Sequence, residues 1–121
     1  MIENKKPYDL EDRTREFAKG VRRFVKGLPK TIANIEDGKQ LIKASGSVGA
    51  NYIEVCEAVS KKDSVLRIKI CRKESKESRY WLRLIEPDDA DQEAERRYLE
   101  QEATELMNIF GSILHKKEKD L

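Results

Sequence analysis

The stretch SGSVGANYIEVCEA, residues 45–58, decides the fold, because it lies within a long helical pattern and yet carries two glycines, two serines and an asparagine. Each glycine in a helix interior costs about 1 kcal/mol relative to alanine. Small residues also let a second backbone approach closely, and that approach can offset the cost. The stretch therefore predicts a helix that packs closely against a neighbour along a face of small side chains.

The composition is that of one small helical domain spanning residues 1–121. Charged residues make up 40% of the chain and hydrophobic residues 38%, enough for one ordered core. The formal net charge of +2 does not by itself imply a nucleic-acid or membrane partner. No apolar run reaches the roughly 20 residues of a membrane span, and the N-terminus has no apolar leader. We therefore expect a cytoplasmic protein that does not act at a membrane.

Prolines divide the chain, since proline is rare inside helices and common at their ends. Pro7, Pro29 and Pro87 mark the start of one segment, its end and a later break. At the remaining junction, Ser60 can cap a helix whose third residue is Asp63. The predicted helical segments are 8–28, 31–59, 61–86 and 88–118.

Apolar residues recur with helical period in all four segments. On the first segment they are Leu10, Phe17, Val21, Phe24 and Leu28; on the third, Ile70, Trp81, Leu84 and Ile85; on the fourth, Leu99, Ala103, Leu106, Phe110 and Ile113. Helices of similar length with short connections favour antiparallel neighbours. The sequence thus predicts an all-α, antiparallel, up-down-up-down four-helix bundle.

The second segment has an apolar face wider than one seam. One stripe is Leu41, Val48, Tyr52, Val55 and Val59; a second is Ile42, Gly49, Ile53 and Cys56; a third, small and polar, is Gln40, Ala44, Ser47, Asn51 and Glu54. A helix this widely apolar is usually buried on several sides, and a buried Asn or Glu needs a partner. Glu77, Tyr80 and Trp81 of the third segment can supply one. The contact is either inside one bundle or with another subunit.

GKQLIKASGSVGANYIEVCEA (38–58) and ESKESRYWLRLI (74–85) resemble the four-helix-bundle family encoded by intervening sequences in bacterial 23S rRNA genes. The family carries Q-L-x-R-S-x-x-S-x-x-x-N-x-x-E on its second helix and E-x-x-Y-W-L on its third. The matching positions are Gln40, Leu41, Ser45, Asn51, Glu54, Glu77, Tyr80, Trp81 and Leu82, with Ser47 or Val48 at the second serine and Lys43 or Ala44 near the arginine.

The resemblance implies a small up-down bundle that assembles as a ring-like homopentamer, with no established catalytic activity. A related branch serves as the accessory protein of diversity-generating retroelements and looks like a basic pentamer that binds nucleic acid and a reverse transcriptase. The motif residues then belong to helix packing or to the interface between subunits.

Basic residues are concentrated on two helices. Residues 61–85 hold nine basic and three acidic residues, whereas residues 86–105 hold two basic and nine acidic ones. The acids suit a helix N-terminus. The basic stripes are either solvated faces, partners of the acidic helix, or a surface for phosphates. The candidate nucleic-acid-binding residues are Lys19, Arg22, Arg23 and Lys26 on the first helix, and Lys69, Arg72, Lys73 and Lys76 on the third.

Catalytic and metal-binding patterns are not found in the sequence. His115, the one histidine, lies in a basic tail and is interpreted as a solvated helix-terminal residue. Cys56 and Cys71 are interpreted as reduced thiols, and the glycines form no phosphate loop. Glu54 and Glu57 are one turn apart and are better explained as helix surface. We therefore expect no enzyme activity, no cofactor and no metal.

Three hypotheses remain open. The first is a non-enzymatic homo-oligomer that binds structured or double-stranded nucleic acid, most plausibly RNA, through the basic helix faces with little sequence preference. The second is a protein–protein adaptor that holds a partner such as a reverse transcriptase. The third is a structural oligomer whose charges serve assembly and solubility.

Overall fold

The computed structural model describes residues 9–120, which form four α-helices and no strand. The helices are α1 (Leu10–Lys26), α2 (Ile32–Cys56), α3 (Lys61–Leu84) and α4 (Ala90–Lys119). Residues 27–31, 57–60 and 85–89 connect them. The all-helical prediction is confirmed. Each helix begins within two residues of its predicted start and ends within three residues of its predicted end. The predicted start at Pro7 lies outside the described residues.

Each helix begins at a side chain that accepts a hydrogen bond from an otherwise unpaired backbone N–H. Asp9 caps α1, Thr31 caps α2 and Asp89 caps α4 in this way. At the third helix, Ser60 Oγ accepts from the Asp63 N–H at 3.1 Å, as the sequence predicts. Such a cap contributes about 1 kcal/mol. The residue at which each helix starts is therefore determined by a local feature of the sequence.

Consecutive helices pack side by side, and α1 also packs against α4, while within residues 9–120 the backbones of α1 and α3, and those of α2 and α4, stay apart and only side chains such as Tyr52 and Phe110 meet across the core. The side-chain contacts run in opposite order along neighbouring helices. Arg83 near the end of α3 pairs with Glu100 of α4, and Lys69 near the start of α3 pairs with Glu118 near the end of α4. Each helix therefore borders two grooves on the surface.

The core lies along the axis between the four helices. The predicted apolar sides of α1 and α4 face it: Leu10 and Ile113 are half-buried there and the other predicted residues are buried. The largest fully buried side chains are Phe24 and Phe110. The buried residues of the hydrophobic core are Phe17, Val21, Phe24, Leu28, Leu41, Val48, Val65, Ile68, Cys71, Leu82, Ile85, Leu99, Ala103, Leu106, Phe110 and Leu114.

The predicted apolar side of α3 is wrong. Of the four residues assigned to it, only Ile85 is buried; Ile70 and Trp81 are half-buried and Leu84 is exposed. The core side instead carries small residues between its apolar ones: Ser64, Val65, Ile68, Cys71, Ser75, Ser78 and Leu82. Serines suit this position because Ser75 and Ser78 donate to the carbonyl oxygens one turn back and so remain hydrogen-bonded in the core. A search for large apolar residues overlooked them.

The predicted stripes of α2 are correct near its middle and wrong at its end. Leu41 and Val48 are buried, but the helix ends at Cys56, so Val59 lies in the connection and is 92% exposed. Ile53, predicted in the second apolar stripe, is 47% exposed, and Cys56 is exposed as well. The end of α2 therefore extends beyond the core of a single chain.

The glycines of α2 face α1. A Cβ built on Gly49 would lie 2.9 Å from Thr14 Oγ1, closer than such atoms approach, and one built on Gly38 would lie 3.1 Å from Val25 Cγ1. Both positions thus allow α1 to approach closely. The small-residue face predicted from residues 45–58 is a helix contact inside the bundle, and that contact offsets the cost of glycine in the helix.

A buried asparagine joins the two ends of the α2–α3 pair. Asn34 is 3% exposed; its Nδ2 donates to the Glu86 carbonyl at 2.9 Å, and its Oδ1 accepts from the Glu86 N–H at 3.0 Å. Its Nδ2 also donates to the Pro29 carbonyl at 3.3 Å. These bonds satisfy the amide in the interior and hold the connection before α4 against the start of α2.

Candidate nucleic-acid interface

The basic residues of α3 line one groove with α4, here called the α3–α4 groove. Its volume is about 550 Å³. It contains all four of the α3 residues predicted to bind nucleic acid and one further cation, Arg79. The lining residues are Lys69, Arg72, Lys73, Lys76, Arg79, Met107 and Leu114.

Helical spacing explains why these cations share one border. Ile68, Cys71 and Leu82 point into the core, which fixes the rotation of α3. Residues 69, 72, 73, 76 and 79 then follow one side of the helix, next to α4. Because the rise is 1.5 Å per residue, the row from Lys69 to Arg79 extends about 15 Å.

Most of these cations are not neutralised within the chain. Lys69 Nζ lies 3.7 Å from Glu118 Oε2 at one end of the groove. Within residues 9–120, no carboxylate comes within ion-pair distance of the remaining four. They are Arg72, Lys73, Lys76 and Arg79. Their charge is therefore available to an external anion.

The arginines elsewhere on the bundle are mostly paired. Arg13 of α1 forms a two-pronged contact with Glu102 of α4, at 2.7 and 2.9 Å, and also reaches Glu105 at 2.7 Å. Arg96 lies between Glu93 and Glu100. The acidic segment of the chain thus neutralises cations at the α1–α4 border and at the start of α4, but not the middle of α3.

The α3–α4 groove continues into a second hollow of about 520 Å³. Arg72 and Met107 line both, so the two are contiguous. The other residues of the second hollow come from α4: Asn108, Gly111, Ser112, His115 and Lys116. Of these residues, the sequence analysis discussed only His115, and it interpreted this residue as solvated rather than as part of a site. The i, i+4, i+7 spacing of residues 108, 112 and 115 was the signal that it missed.

His115 is exposed, as predicted. The helix α4 continues to Lys119, so His115 sits within regular helix on the border of this second hollow. Its neighbour across the hollow is Arg72, which lies over Gly111: a Cβ at residue 111 would be 3.6 Å from Arg72 Nε. The two borders of the groove meet at this point.

The four predicted cations of α1 do not converge. Lys19 and Arg22 border a different groove, between α1 and α2, and Arg23 lines a hollow of about 450 Å³ between α1 and α4. Lys26 is exposed in the last turn of α1. Because α1 does not contact α3 in the described chain, the two predicted basic stripes form separate surfaces.

The groove between α1 and α2, here called the α1–α2 groove, is lined largely by small and apolar side chains. Its volume is about 350 Å³. Arg22 lies across it, with Nη1 donating to the Ala18 carbonyl of its own helix at 3.1 Å. The lining residues are Glu11, Thr14, Arg15, Ala18, Lys19, Arg22, Gly46, Gly49, Ala50 and Ile53.

The family-motif residues lie along the α2–α3 pair. Asn51 Nδ2 donates to the Ser47 carbonyl and hydroxyl, and Asn51 Oδ1 accepts from Arg67 Nη1 at 3.0 Å. The third helix does supply a partner for Asn51, but the partner is Arg67 and not one of the three residues predicted from the sequence. Gln40, Glu54, Glu77 and Tyr80 are exposed, and Trp81 is half-buried.

Large apolar side chains are exposed beside those motif residues. Leu66 and Tyr80 are each 55% exposed and Leu84 is 43% exposed. Tyr80 packs edge-on against Trp81, with ring centroids 5.0 Å apart. This set is here called the α2–α3 face. Tyr80 and Leu84 are one helical turn apart, whereas Leu66 lies about 20 Å nearer the start of α3. Neighbouring exposed apolar side chains such as Tyr80 and Leu84 are typical of a surface that meets another molecule.

Residues 9–120 contain no cluster of three or more His, Cys, Asp or Glu side chains suited to a metal ion. Burial raises the pKa of the Cys71 thiol to about 12, and its Sγ donates to the Val48 carbonyl at 3.4 Å. A thiol held in its neutral form is a weak nucleophile. Glu54 and Glu57 are both exposed.

None of the described helices is both long enough and apolar enough to cross a membrane.

Comparison with known proteins agrees with the fold and with the resemblance in the motifs. A crystal structure of a protein with unknown function from the S23 ribosomal protein family of Bacteroides thetaiotaomicron VPI-5482 superposes with a TM-score of 0.73 at 26% identity, covering 88% of this chain and 98% of that one. No curated protein matches the chain. The sequence model of the 23S rRNA-intervening sequence protein family matches residues 7–112. The chain therefore belongs to the 23S rRNA-intervening sequence protein family.

Proposed function

We propose that this protein is a non-enzymatic, homo-oligomeric helical bundle that binds structured or double-stranded RNA through the α3–α4 groove. One observation carries the proposal: five cations converge on this groove, and four of them have no ion-pair partner in the described chain. Phosphates are the anions that such a row of lysines and arginines suits best.

The groove suits the nucleic-acid backbone better than individual bases. Its lining includes no aromatic side chain on which bases could stack. Lysine and arginine contacts to phosphates fix the position of a duplex and carry no sequence information. We therefore expect little dependence on sequence and a strong dependence on salt.

The opposite order of contacts along neighbouring helices supports an up-down-up-down arrangement. The family resemblance implies assembly into a ring-like homopentamer. The α2–α3 face supports self-association, because Tyr80 and Leu84 are large, exposed and one turn apart at the third-helix motif. A ring would present several copies of the α3–α4 groove to one RNA and would increase its affinity by multivalency.

The test is fluorescence anisotropy with a labelled RNA hairpin, titrated from low to physiological salt, with the mass of the protein followed by light scattering. We expect saturable binding whose logarithm falls linearly with the logarithm of salt concentration. A mass several times that of the chain is expected for the free protein. Absence of binding even at low salt would refute the RNA proposal, and a monomeric mass would refute the oligomer.

Charge reversal connects the binding to the groove. Arg72→Glu, Lys73→Glu and Lys76→Glu together should abolish detectable binding and leave the helical circular dichroism and the mass unchanged, since all three residues are exposed. Unchanged affinity in this variant would show that the RNA binds elsewhere.

A protein–protein adaptor, with a reverse transcriptase as its partner, is the second candidate. The α1–α2 groove favours it, because small side chains and the partly exposed Ile53 leave an apolar depression on the surface. Binding of RNA to the isolated protein would favour the first proposal. Binding of the protein to a reverse transcriptase without RNA would favour the second.

A further inference from the structure

The two borders of the α3–α4 groove differ in hydrogen-bonding chemistry. The α3 border consists of lysines and arginines, which donate hydrogen bonds and cannot accept them. Such a border contacts phosphates, which are chemically the same in RNA and DNA, so it can separate the two only by duplex shape. Recognition of the sugar itself has to come from other residues.

In the second hollow, which shares Arg72 and Met107 with the groove, the α4 border has three side chains beside Lys116 that both donate and accept hydrogen bonds. Asn108, Ser112 and His115 occupy positions i, i+4 and i+7 and line one hollow. All three are exposed, and their side chains have no hydrogen-bond partner among residues 9–120. An amide, a hydroxyl and an imidazole each offer at least one donor and one acceptor.

Arg72 connects the two borders. It lies over Gly111, midway along the row of neutral side chains, and it lines both hollows. A phosphate bound by Arg72 would therefore place the adjoining sugar beside the α4 border. The sugar 2′-hydroxyl is the group that RNA has and DNA lacks, and it is both a donor and an acceptor.

We infer that Asn108, Ser112 and His115 select RNA over DNA by hydrogen bonding to 2′-hydroxyl groups along the minor groove of a duplex whose phosphates are held by the α3 border. The inference rests on the proposed RNA binding and adds the chemical group that is recognised. It separates two functions within one groove: affinity belongs to α3 and selection of the sugar to α4.

The experiment compares three duplexes of one sequence in fluorescence anisotropy at fixed salt: RNA, DNA, and RNA carrying 2′-O-methyl groups. The methylated duplex keeps the A-form shape of RNA but loses the hydroxyl donor. We expect RNA to bind about tenfold more tightly than either of the others, which corresponds to one or two hydrogen bonds of ordinary net strength.

The test variant combines Asn108→Ala, Ser112→Ala and His115→Ala. It should bind all three duplexes with the affinity that the unaltered protein has for DNA. Gln101→Ala, which removes a neutral exposed side chain of α4 that lines neither hollow, is the matched control and should leave the preference unchanged. Circular dichroism verifies that both variants keep the fold.

The possible failures can be told apart. If neither RNA nor DNA binds at low salt, the proposed function is refuted and this inference with it. Equal binding of RNA and DNA, or a preference for RNA that survives the triple alanine variant, overturns the inference alone. Equal binding of RNA and its 2′-O-methyl form would show that the protein reads A-form shape and would also overturn it.

Discussion

The α1–α2 and α3–α4 grooves lie on opposite sides of the bundle, and both are bordered by a row of cations. The α1–α2 groove has small apolar residues at its base, and α1 spreads its cations over three surfaces. The α3–α4 groove gathers its cations into one row, with Met107 and Leu114 of α4 opposite them, and continues at Arg72 into a hollow lined by hydrogen-bonding side chains. The comparison shows that similar basic stripes in a sequence become different surfaces, because the neighbouring helix decides what lies opposite each stripe.

The largest expected difference between the grooves is in RNA affinity. Reversing three charges on α3, by Arg72→Glu, Lys73→Glu and Lys76→Glu, should remove RNA binding. The matched reversal of three charges on α1, by Lys19→Glu, Arg22→Glu and Lys26→Glu, should weaken binding only modestly, because these residues do not all converge on one groove. The measurement is the dissociation constant for a labelled hairpin at several salt concentrations.

Neutral substitutions sharpen this result. Replacing Arg72, Lys73 and Lys76 with glutamine should lower the slope of log affinity against log salt by about three, one unit for each lost phosphate contact. Replacing Lys19 and Lys26 with glutamine should hardly alter the slope. Equal changes of slope in the two sets would mean that RNA contacts both sides of the bundle.

The next largest effect concerns close packing in the α1–α2 groove. Gly49→Ala places a Cβ 2.9 Å from Thr14 Oγ1, so α1 has to shift. The strain, typically about 1–3 kcal/mol, exceeds the gain of about 1 kcal/mol from replacing a helical glycine. We expect the free energy of unfolding in urea to fall by about 1 kcal/mol.

A second substitution tests that cause. Thr14→Ala removes the hydroxyl that the new Cβ would meet, so Gly49→Ala should cost less in the Thr14→Ala background than alone. Additive effects in this double-mutant cycle would contradict the steric explanation.

The glycine of the α3–α4 groove should behave in the opposite way. A Cβ at Gly111 would make only ordinary contacts with Arg72, the shortest being 3.6 Å to Nε. Gly111→Ala should therefore raise the free energy of unfolding, by about 0.5–1 kcal/mol, through helix propensity alone. Urea denaturation decides the sign, and destabilisation would show that this border packs as tightly as α1 does against α2.

The smallest effect lies at the paired end of α3, where Arg83 meets Glu100. Burial raises the pKa of Glu100, but hydrogen bonds from Arg83 and Arg96 outweigh it and leave this pKa below its ordinary value. Because the pKa of Glu100 is lower in the folded chain than its value of about 4.5 in the unfolded chain, ionised Glu100 stabilises the fold at pH values above 4.5. This stabilisation is lost as the pH falls below 4.5 and through the lower pKa of the folded chain.

Glu100→Gln should therefore lower stability at pH 7 by less than about 1 kcal/mol and make little difference at pH 3. Urea denaturation at both pH values provides the measurement. An equal loss at the two values would mean that Glu100 acts through packing rather than charge. Glu93, whose pKa hydrogen bonds from Arg96 and Arg97 lower to about 2, keeps its charge at pH 3.

The sequence alone determined the helices and most of their inward faces. The caps at Ser60 and Asp89 depend on side chains within three residues of the helix start, and the breaks at Pro29 and Pro87 depend on single residues. Both signals are local in the chain. The helical periodicity of the apolar residues predicted which sides of α1 and α4 face the core, because the apolar residues of these helices are large and their polar residues are mostly charged. The cations of α3 were identified as candidates for the same reason.

Only the tertiary structure decided which face of α3 is buried, since serines there are compatible with the core once their hydroxyls bond to the backbone. It also decided that Arg67 pairs with Asn51, and that Asn108, Ser112 and His115 share a hollow with Arg72. These relations join residues that are distant in sequence, and they depend on the rotation of each helix about its axis. That rotation is fixed by packing against neighbours, which no local pattern in the chain specifies.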